Sequence, residues 1–312
     1  MKTILILFSG NSTKSPQSGK MGYEPLYSYF KKNKIKLCRS SISFYDEEKN
    51  IFKKAQFFEN RKWIWKKNIS PNVVYDKSSY SLSIKKIKIR ELIEKSYTFY
   101  NSLKLSKLMS DKDLTYQQFK NLSPKSVTLN KKSDLEKINE LKTQKIIIKP
   151  LSLSGGEGIF VTEKKLLKNN LEKVKFPVII QEFIDSSNIK NDLVNSYHDI
   201  RVIIRNKTPF YSFARFPKKN SYLANISQGG TLKVIPIEDL LKNNDIKIFI
   251  DNIIDEIDKI DANKKLYAID FMFDNNNKIW LIELNSRPGL ILEKEEMKYQ
   301  KEFYEDLLKF FK

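Results

Sequence analysis

Between Tyr267 and Leu290 the chain reads YAIDFMFDNNNKIWLIELNSRPGL, and no other stretch constrains the fold as tightly. Apolar runs at Tyr267–Phe273 and Lys278–Leu284 flank an Asp-Asn-Asn-Asn turn, a pattern that predicts a β-hairpin. Asp270 falls in the first strand, and Glu283 and Asn285 fall at the end of the second. Residues two apart on a strand share a face, so Glu283 and Asn285 point the same way, and pairing can set Asp270 opposite them. Two carboxylates and an amide make the hard oxygen donor set that Mg²⁺ prefers when substrate phosphates complete its shell. The same residues also suit a strand of solvated acids ending in an Asn-Ser-Arg-Pro-Gly turn.

Upstream, Lys145–Thr162 reads KIIIKPLSLSGGEGIFVT. A β-branched strand delivers Lys149, and a loop holding Ser154, Gly155, Gly156 and Gly158 leads into a second strand. Glycines let backbone N–H groups approach phosphate oxygens, and a lysine on the adjoining strand adds a point charge; a plain hairpin turn reads the same way. Pro177–Ile184 (PVIIQEFI) is a buried strand whose polar end suits an adenine edge, with Glu182 in reach of a ribose hydroxyl. Asp199-Ile-Arg201-Val opens a further strand, followed by Arg215 and by Asn225 in LANISQGG. Arginines so placed suit phosphates and a developing oxyanion, or a solvated pair. His198 is the single histidine, which excludes a histidine-based metal site.

The N-terminal third opens as an α/β unit: a strand at Thr3–Phe8, a Ser/Gly/Pro loop, a helix around Glu24–Lys32 and a short strand at Ile35–Leu37. Further strands are expected at Trp63–Trp65 and Val73–Tyr75. Helical spacing runs from Arg90 to Met109 and contains Lys104 and Lys107, and Ser133–Lys142 reads as a capped helix. Asp251–Ile260 reads as an amphipathic helix and Glu293–Lys312 as a terminal one. The apolar run in MKTILILFSG is too short for a signal peptide or a membrane span, and one cysteine, Cys38, rules out an internal disulfide. A cytoplasmic protein is expected. Of the net charge of +20, residues 1–112 carry 24 Lys/Arg against 9 Asp/Glu, a local excess of +15. That excess attracts anions, but no zinc-finger spacing, RNP motif or basic zipper accompanies it, so nucleic acid is not the expected partner.

Taken in order, Lys107, Lys149-Pro with SGGEGI, QEFI, DIR, Arg215, Asn225 with Gly-Gly, and Asp270…Glu283-Leu-Asn285 resemble the ATP-grasp superfamily over roughly residues 95–292. DIRV, LANISQGG and WLIELNSRPGL resemble the RimK-type and tubulin–tyrosine-ligase-type carboxylate–amine ligases. VVYDKS and YNSLKLSK, with IWLIELNSRPG, look closest to the YheC/YheD-like group associated with endospore coats.

The resemblance implies an α/β protein with α+β lobes: an N-terminal α/β lobe over 1–95, a small lobe with a glycine-rich lid over 96–176, and a C-terminal lobe over 177–312. ATP would lie between the last two. By position, Lys107 (or Lys104, one turn away) and Lys149 would contact ATP phosphates under the Ser154–Gly158 lid. Gln181, Glu182, Phe183 and Ile184 would line the adenine and ribose pocket, with Asp199 beside the ribose. Arg201, Arg215 and Lys149 would carry the chemistry. Asp270, Glu283 and Asn285 would hold Mg²⁺, or Mn²⁺ in its place, with Asn225 near. The implied reaction joins a carboxylate substrate to an amine acceptor through an acylphosphate, releasing ADP and phosphate. A phosphotransferase or a non-catalytic nucleotide-binding coat protein are the alternatives. The basic N-terminal third favours an acidic substrate.

Overall fold

The computed structural model describes residues 1–10, 22–78, 83–151, 157–167, 174–224, 226 and 229–312, and among these the strands form three sheets. The first contains β1 (Lys2–Phe8), β2 (Ile35–Ser41), β3 (Tyr45–Asp46), β4 (Ile51–Glu59), β5 (Lys62–Ile69), β6 (Val73–Asp76) and β7 (Thr98–Tyr100). Strands β2, β1, β6 and β7 run parallel in that order, and β4 joins antiparallel beside β2, carrying β3 and β5. Ile4–Leu7 are fully buried, because a central parallel strand is covered on both faces. Ile4 and Ile6 enter one core with helix α1 (Glu24–Lys32), while Leu5 and Leu7 enter another with helix α2 (Ile84–Ser96).

The helical spacing over Arg90–Met109 is broken in two. Helix α2 stops at Ser96, Thr98–Tyr100 pairs with β6, and Asn101 turns the chain at φ +62° before helix α3 (Leu103–Ser110). Three β-favouring residues find a parallel partner here, and that tertiary pairing outweighs the helical period. Asn101 is fully buried and joins this turn to the hairpin. Its Nδ2 donates to the carbonyls of Leu266 (2.8 Å) and Ser286 (2.5 Å), and its Oδ1 accepts from the Leu266 N–H (2.7 Å).

The second sheet is antiparallel, with order β10 (Phe160–Glu163), β9 (Lys145–Pro150), β11 (Val178–Glu182), β8 (Ser126–Leu129). The helix expected at Ser133–Lys142 is a 3₁₀ helix over Lys132–Glu140. Helix α4 (Lys112–Gln118) begins where Asp111 Oδ1 accepts from the N–H groups of Asp113 and Leu114, a side-chain N-cap.

The third sheet is antiparallel in the order β14 (Thr231–Val234), β13 (Thr208–Phe216), β12 (Asp199–Arg205), β15 (Leu266–Phe273), β16 (Ile279–Asn285). Helix α5 (Ile237–Leu241) leads into α6 (Asn244–Ile260), which starts about two turns earlier than the helix expected from Asp251, at an Asn243 cap. Its isoleucines pack on Ile200, Val202, Tyr267, Ile269 and Phe271, one full face of the sheet. The terminal segment is a 3₁₀ turn over Lys294–Tyr299 followed by α7 (Gln300–Phe311). That helix returns to the first sheet, where Phe310 and Phe311 meet Tyr75 and Tyr100 ring to ring. No helix among the described residues is long and apolar enough to cross a membrane.

Candidate active site

Strand alternation builds the site. On the third sheet, one set of side chains faces α6; the other set contains Asp199, Arg201, Arg215, Asp270 and Glu283. The register places Asp199 opposite Arg215, Arg201 opposite Asp270, and Asp270 opposite Glu283. A bulge after Asp270 leaves Ile282 as an extra residue on β16. Hydrogen-bonded register puts cross-strand partners on one face, so five charged residues from four strands form a single row.

Asp270 is 1% exposed and is gripped by two guanidiniums. Arg201 binds it bidentately (Nε to Oδ1 2.7 Å, Nη2 to Oδ2 2.5 Å), and Arg215 Nη2 bridges Asp270 (2.9 Å) and Asp199 (2.6 Å). Burial opposes the charge on Asp270, but Arg201 and Arg215 hold its carboxyl below the ordinary range. Burial raises Asp199 in spite of Arg215. Burial also works against the Arg215 charge, yet Asp199 and Asp270 keep it raised and firmly protonated. Arg215 Nε and Asp199 Oδ1 are buried without a partner among the described residues. The network therefore retains unused donor and acceptor capacity on the cleft side of the sheet.

Across the cleft stands the second sheet. Lys149 is buried, its Nζ donating to Gln181 Oε1 (2.6 Å), and Gln181 Nε2 donates in turn to Ser126 Oγ (3.1 Å). Burial lowers Lys149 to about 8; Glu283 and Asp199 pull it up and Lys112 pushes it down. Lys112, at the first turn of α4, lies 3.8 Å from Glu283. Lys149, Gln181, Lys112, Asp199 and Glu283 line one cavity between the two sheets. Its apolar end is Ile147, Phe183, Ile184 and Met272, and its rim is an aromatic triangle of Phe183, Tyr197 and Tyr222. Lys145 Nζ lies over the rings of Tyr222 (4.6 Å) and Phe183 (5.0 Å). A half-apolar, half-cationic cleft of this kind suits a planar base at one end and phosphates at the other.

The structure brings together in this cleft Lys149, Gln181, Glu182, Phe183, Ile184, Asp199 and Glu283, with Arg201, Arg215 and Asp270 in the adjoining row. Glu182 also accepts a hydrogen bond from the Lys142 N–H. Lys104 and Lys107 are exposed on α3 and do not line the cleft; Lys112, missed in the sequence, does. Its signal was the Asp-Lys-Asp start of a capped helix, which carries no chemistry by itself. Gly158 holds φ +71°, a conformation that favours glycine. Ser154, Gly155, Gly156 and Asn225 lie outside the described residues. His198 accepts from the Phe273 N–H at Nε2 (3.0 Å), so Nδ1 carries the proton and donates to the Ser196 carbonyl (2.8 Å). Burial lowers it to about 4, which makes it a neutral strut with both nitrogens engaged.

The donor set suits a hard cation. Glu283 keeps 35% of its side chain exposed, and Asn285, two residues on, shares its face while its Oδ1 caps the Arg287 N–H at 2.8 Å. Asp270 is already shared between guanidiniums. Among the described residues no group of three His, Cys, Asp or Glu side chains is arranged to hold a metal, so phosphate oxygens must complete any shell here.

Two antiparallel sheets closed on a cleft with a lysine on one and an acidic, arginine-braced row on the other, behind a parallel α/β sheet, define the ATP-grasp fold. Residues 112–255 match the family model for the prokaryotic glutathione synthetase ATP-grasp domain, and residues 230–310 match the tubulin–tyrosine ligase family. The fold and these two matches, which together span residues 112–310, are those of the ATP-grasp superfamily. Neither match reaches the narrower endospore-coat group. Among solved structures, D-cycloserine synthetase DcsG aligns at TM-score 0.66 with 9% identity, over 99% of this chain and 100% of the other. D-alanine–D-alanine ligase from Bacillus anthracis, complexed with ATP, gives 0.61 and 15%, over 99% and 96%. A RiPP-associated ATP-grasp ligase from Chryseobacterium gregarium, with ADP and leader and core peptides, gives 0.59 and 15%, over 99% and 96%. No curated protein sequence matches the chain.

Proposed function

We propose that this protein is an ATP-dependent carboxylate–amine ligase working through an acylphosphate. The observation that carries the reading is the convergence of Lys112, Lys149, Asp199 and Glu283 on one cleft with an apolar end, with Arg215 bound to Asp199 in the adjoining row. Lys112 and Lys149 neutralise phosphate oxygens, and the Arg201–Arg215 pair holds the entering carboxylate. A carboxylate oxygen of the first substrate attacks the γ-phosphorus, and the bond to the β,γ-bridging oxygen breaks, giving ADP and an acylphosphate. The amine then attacks the acyl carbon, phosphate leaves with the bonding pair, and the amine loses a proton. Glu283 and Asn285, with Asp270 behind them, would hold Mg²⁺, which supplies charge neutralisation for the phosphates. No side chain of this cleft needs to act as a strong base, in keeping with a neutral, fully engaged His198.

The test is product analysis with Mg-ATP and pools of amino acids, acidic peptides and carboxylic acids. Pool-dependent ADP and phosphate are expected, together with an amide product. AMP and pyrophosphate would overturn the acylphosphate, and a stable phosphorylated product would favour phosphotransfer.

Lys149 gives a second expectation. Phosphates beside it favour its charged form and raise its pKa from about 8. Nucleotide binding at pH 8 is expected to take up about half a proton, falling to about zero at pH 6, where the lysine is already charged. Calorimetry in buffers of different ionisation enthalpy reads this directly. Uptake that does not change with pH would remove Lys149 from the phosphate site.

A further inference from the structure

The strand order of the first sheet reverses at β1, which has β2 on one side and β6 on the other. In open parallel sheets, ligands bind beyond the carboxyl ends of the strands at such a point. Here β6 ends in Tyr75 and Asp76, and Lys77 and Ser78 follow directly. Asp76 is fully buried and neutralised by Arg90 of α2, itself 1% exposed. Among the described residues Lys77 pairs with no carboxylate. Its Nζ donates to the Pro288 carbonyl (2.5 Å), in the loop that follows Asn285 on the third sheet.

Arg287 lies in that same loop, partly buried; burial works against its charge while Tyr75 and Glu283 favour it, and its guanidinium makes no hydrogen bond or close ion pair among the described residues. Both Lys77 and Tyr75 feel its charge. The Tyr75 hydroxyl is fully buried and has no hydrogen-bond partner among the described residues, and the same holds for the hydroxyls of Ser78 and Ser286. Burial, with Arg287 adding to it, lowers Lys77 to about 7, as expected of a cation lacking a counter-ion. None of residues 11–21 or 79–82, which lie next in sequence to the segments around β1 and β6, is acidic. Two desolvated cations and an orphaned hydroxyl are costly unless an anion completes them.

We propose that Lys77, Arg287 and Tyr75 form an anion subsite holding a carboxylate of the substrate that does not itself react. The substrate is then a molecule with at least one carboxylate to spare, such as an acidic amino acid or a peptide rich in them. Its reacting group is directed over the adjoining Glu283–Asn285 edge. This place in the reaction rests on the ligase reading, whereas the anion binding does not.

The experiment titrates the full chain with glutarate and with its neutral diamide, glutaramide, and separately with Mg²⁺ and a non-hydrolysable ATP analogue. Glutarate is expected to bind at least tenfold more tightly than glutaramide, and Arg287→Met and Lys77→Met each to lose at least tenfold of that affinity. Nucleotide-analogue binding should stay within twofold in both variants, which also reports that they are folded. Since the Arg287 guanidinium makes no hydrogen bond or close ion pair among the described residues and burial opposes its charge, Arg287→Met is expected to melt no lower than the parent protein without ligand. Equal binding of the diamide, no measurable glutarate binding, or glutarate affinity kept in Arg287→Met would overturn the subsite. Glutarate binding without nucleotide binding would leave the subsite standing and remove the ligase reading.

Discussion

Glu283→Gln is expected to lower ATP turnover by at least about a hundredfold, the loss typical of removing one group that stabilises transferring charge. Glutamine keeps the size and one carbonyl oxygen but surrenders the negative charge that Lys112 faces at 3.8 Å. The side chain is 35% exposed, so its loss should cost folding less than about 1 kcal/mol. Nucleotide-analogue binding measured with and without Mg²⁺ separates the possible causes. In the parent protein Mg²⁺ should tighten binding, and in the variant that gain should shrink while metal-free binding stays the same or improves. A variant that turns over ATP at the parent rate would dismiss Glu283 as a metal-holding residue.

Asp270→Ala is expected to destabilise the fold by about 3–5 kcal/mol, because it strands Arg201 as an unpaired cation and leaves Arg215 with Asp199 alone on a buried sheet face. Arg215 is 8% exposed, so water cannot replace the lost carboxylate there. Asp270→Asn keeps the acceptor oxygen and should fall between the two in urea unfolding. The pH dependence follows from the direction of the shift. Asp270 is held below its ordinary value by Arg201 and Arg215, so its contribution is fully present above about pH 4–5 and is lost as the pH falls through the folded pKa. Unfolding midpoints of the parent and Asp270→Asn should therefore draw together as the pH falls below the ordinary aspartate range. Midpoints separated equally at all pH values would mean that the ion network adds nothing to stability.

These two residues also mark what strand grammar can convey. Asp270 and Glu283 stand in a local alternation on either side of a turn, and a period of two already fixes which side chains share a face. The hairpin, β1, β9 and β11 were legible for that reason, as were Lys149 and Gln181 near their strand ends. The helix over Arg90–Met109 was misread because its period was real, yet Thr98–Tyr100 gained more from pairing beside β6 than from continuing a helix. Lys112 was invisible for a different cause. It sits in a polar helix start, and only the closure of the second sheet over the third carries it to Glu283.

The sequence by itself determined the element types, the charged rows and the superfamily, since these depend on residues within a few positions of one another or on their order. The tertiary structure alone decided which rows meet. Lys77 and Pro288 are 211 residues apart, and nothing in the periodicity of either segment refers to the other. They are joined because α7, Leu290 and Leu292 bury their apolar surface in the core that also holds Tyr75. Burial of apolar area is non-directional. It draws distant faces together without regard to the charges at their rims, and so the charge pattern of those rims can be read only after the cores have closed.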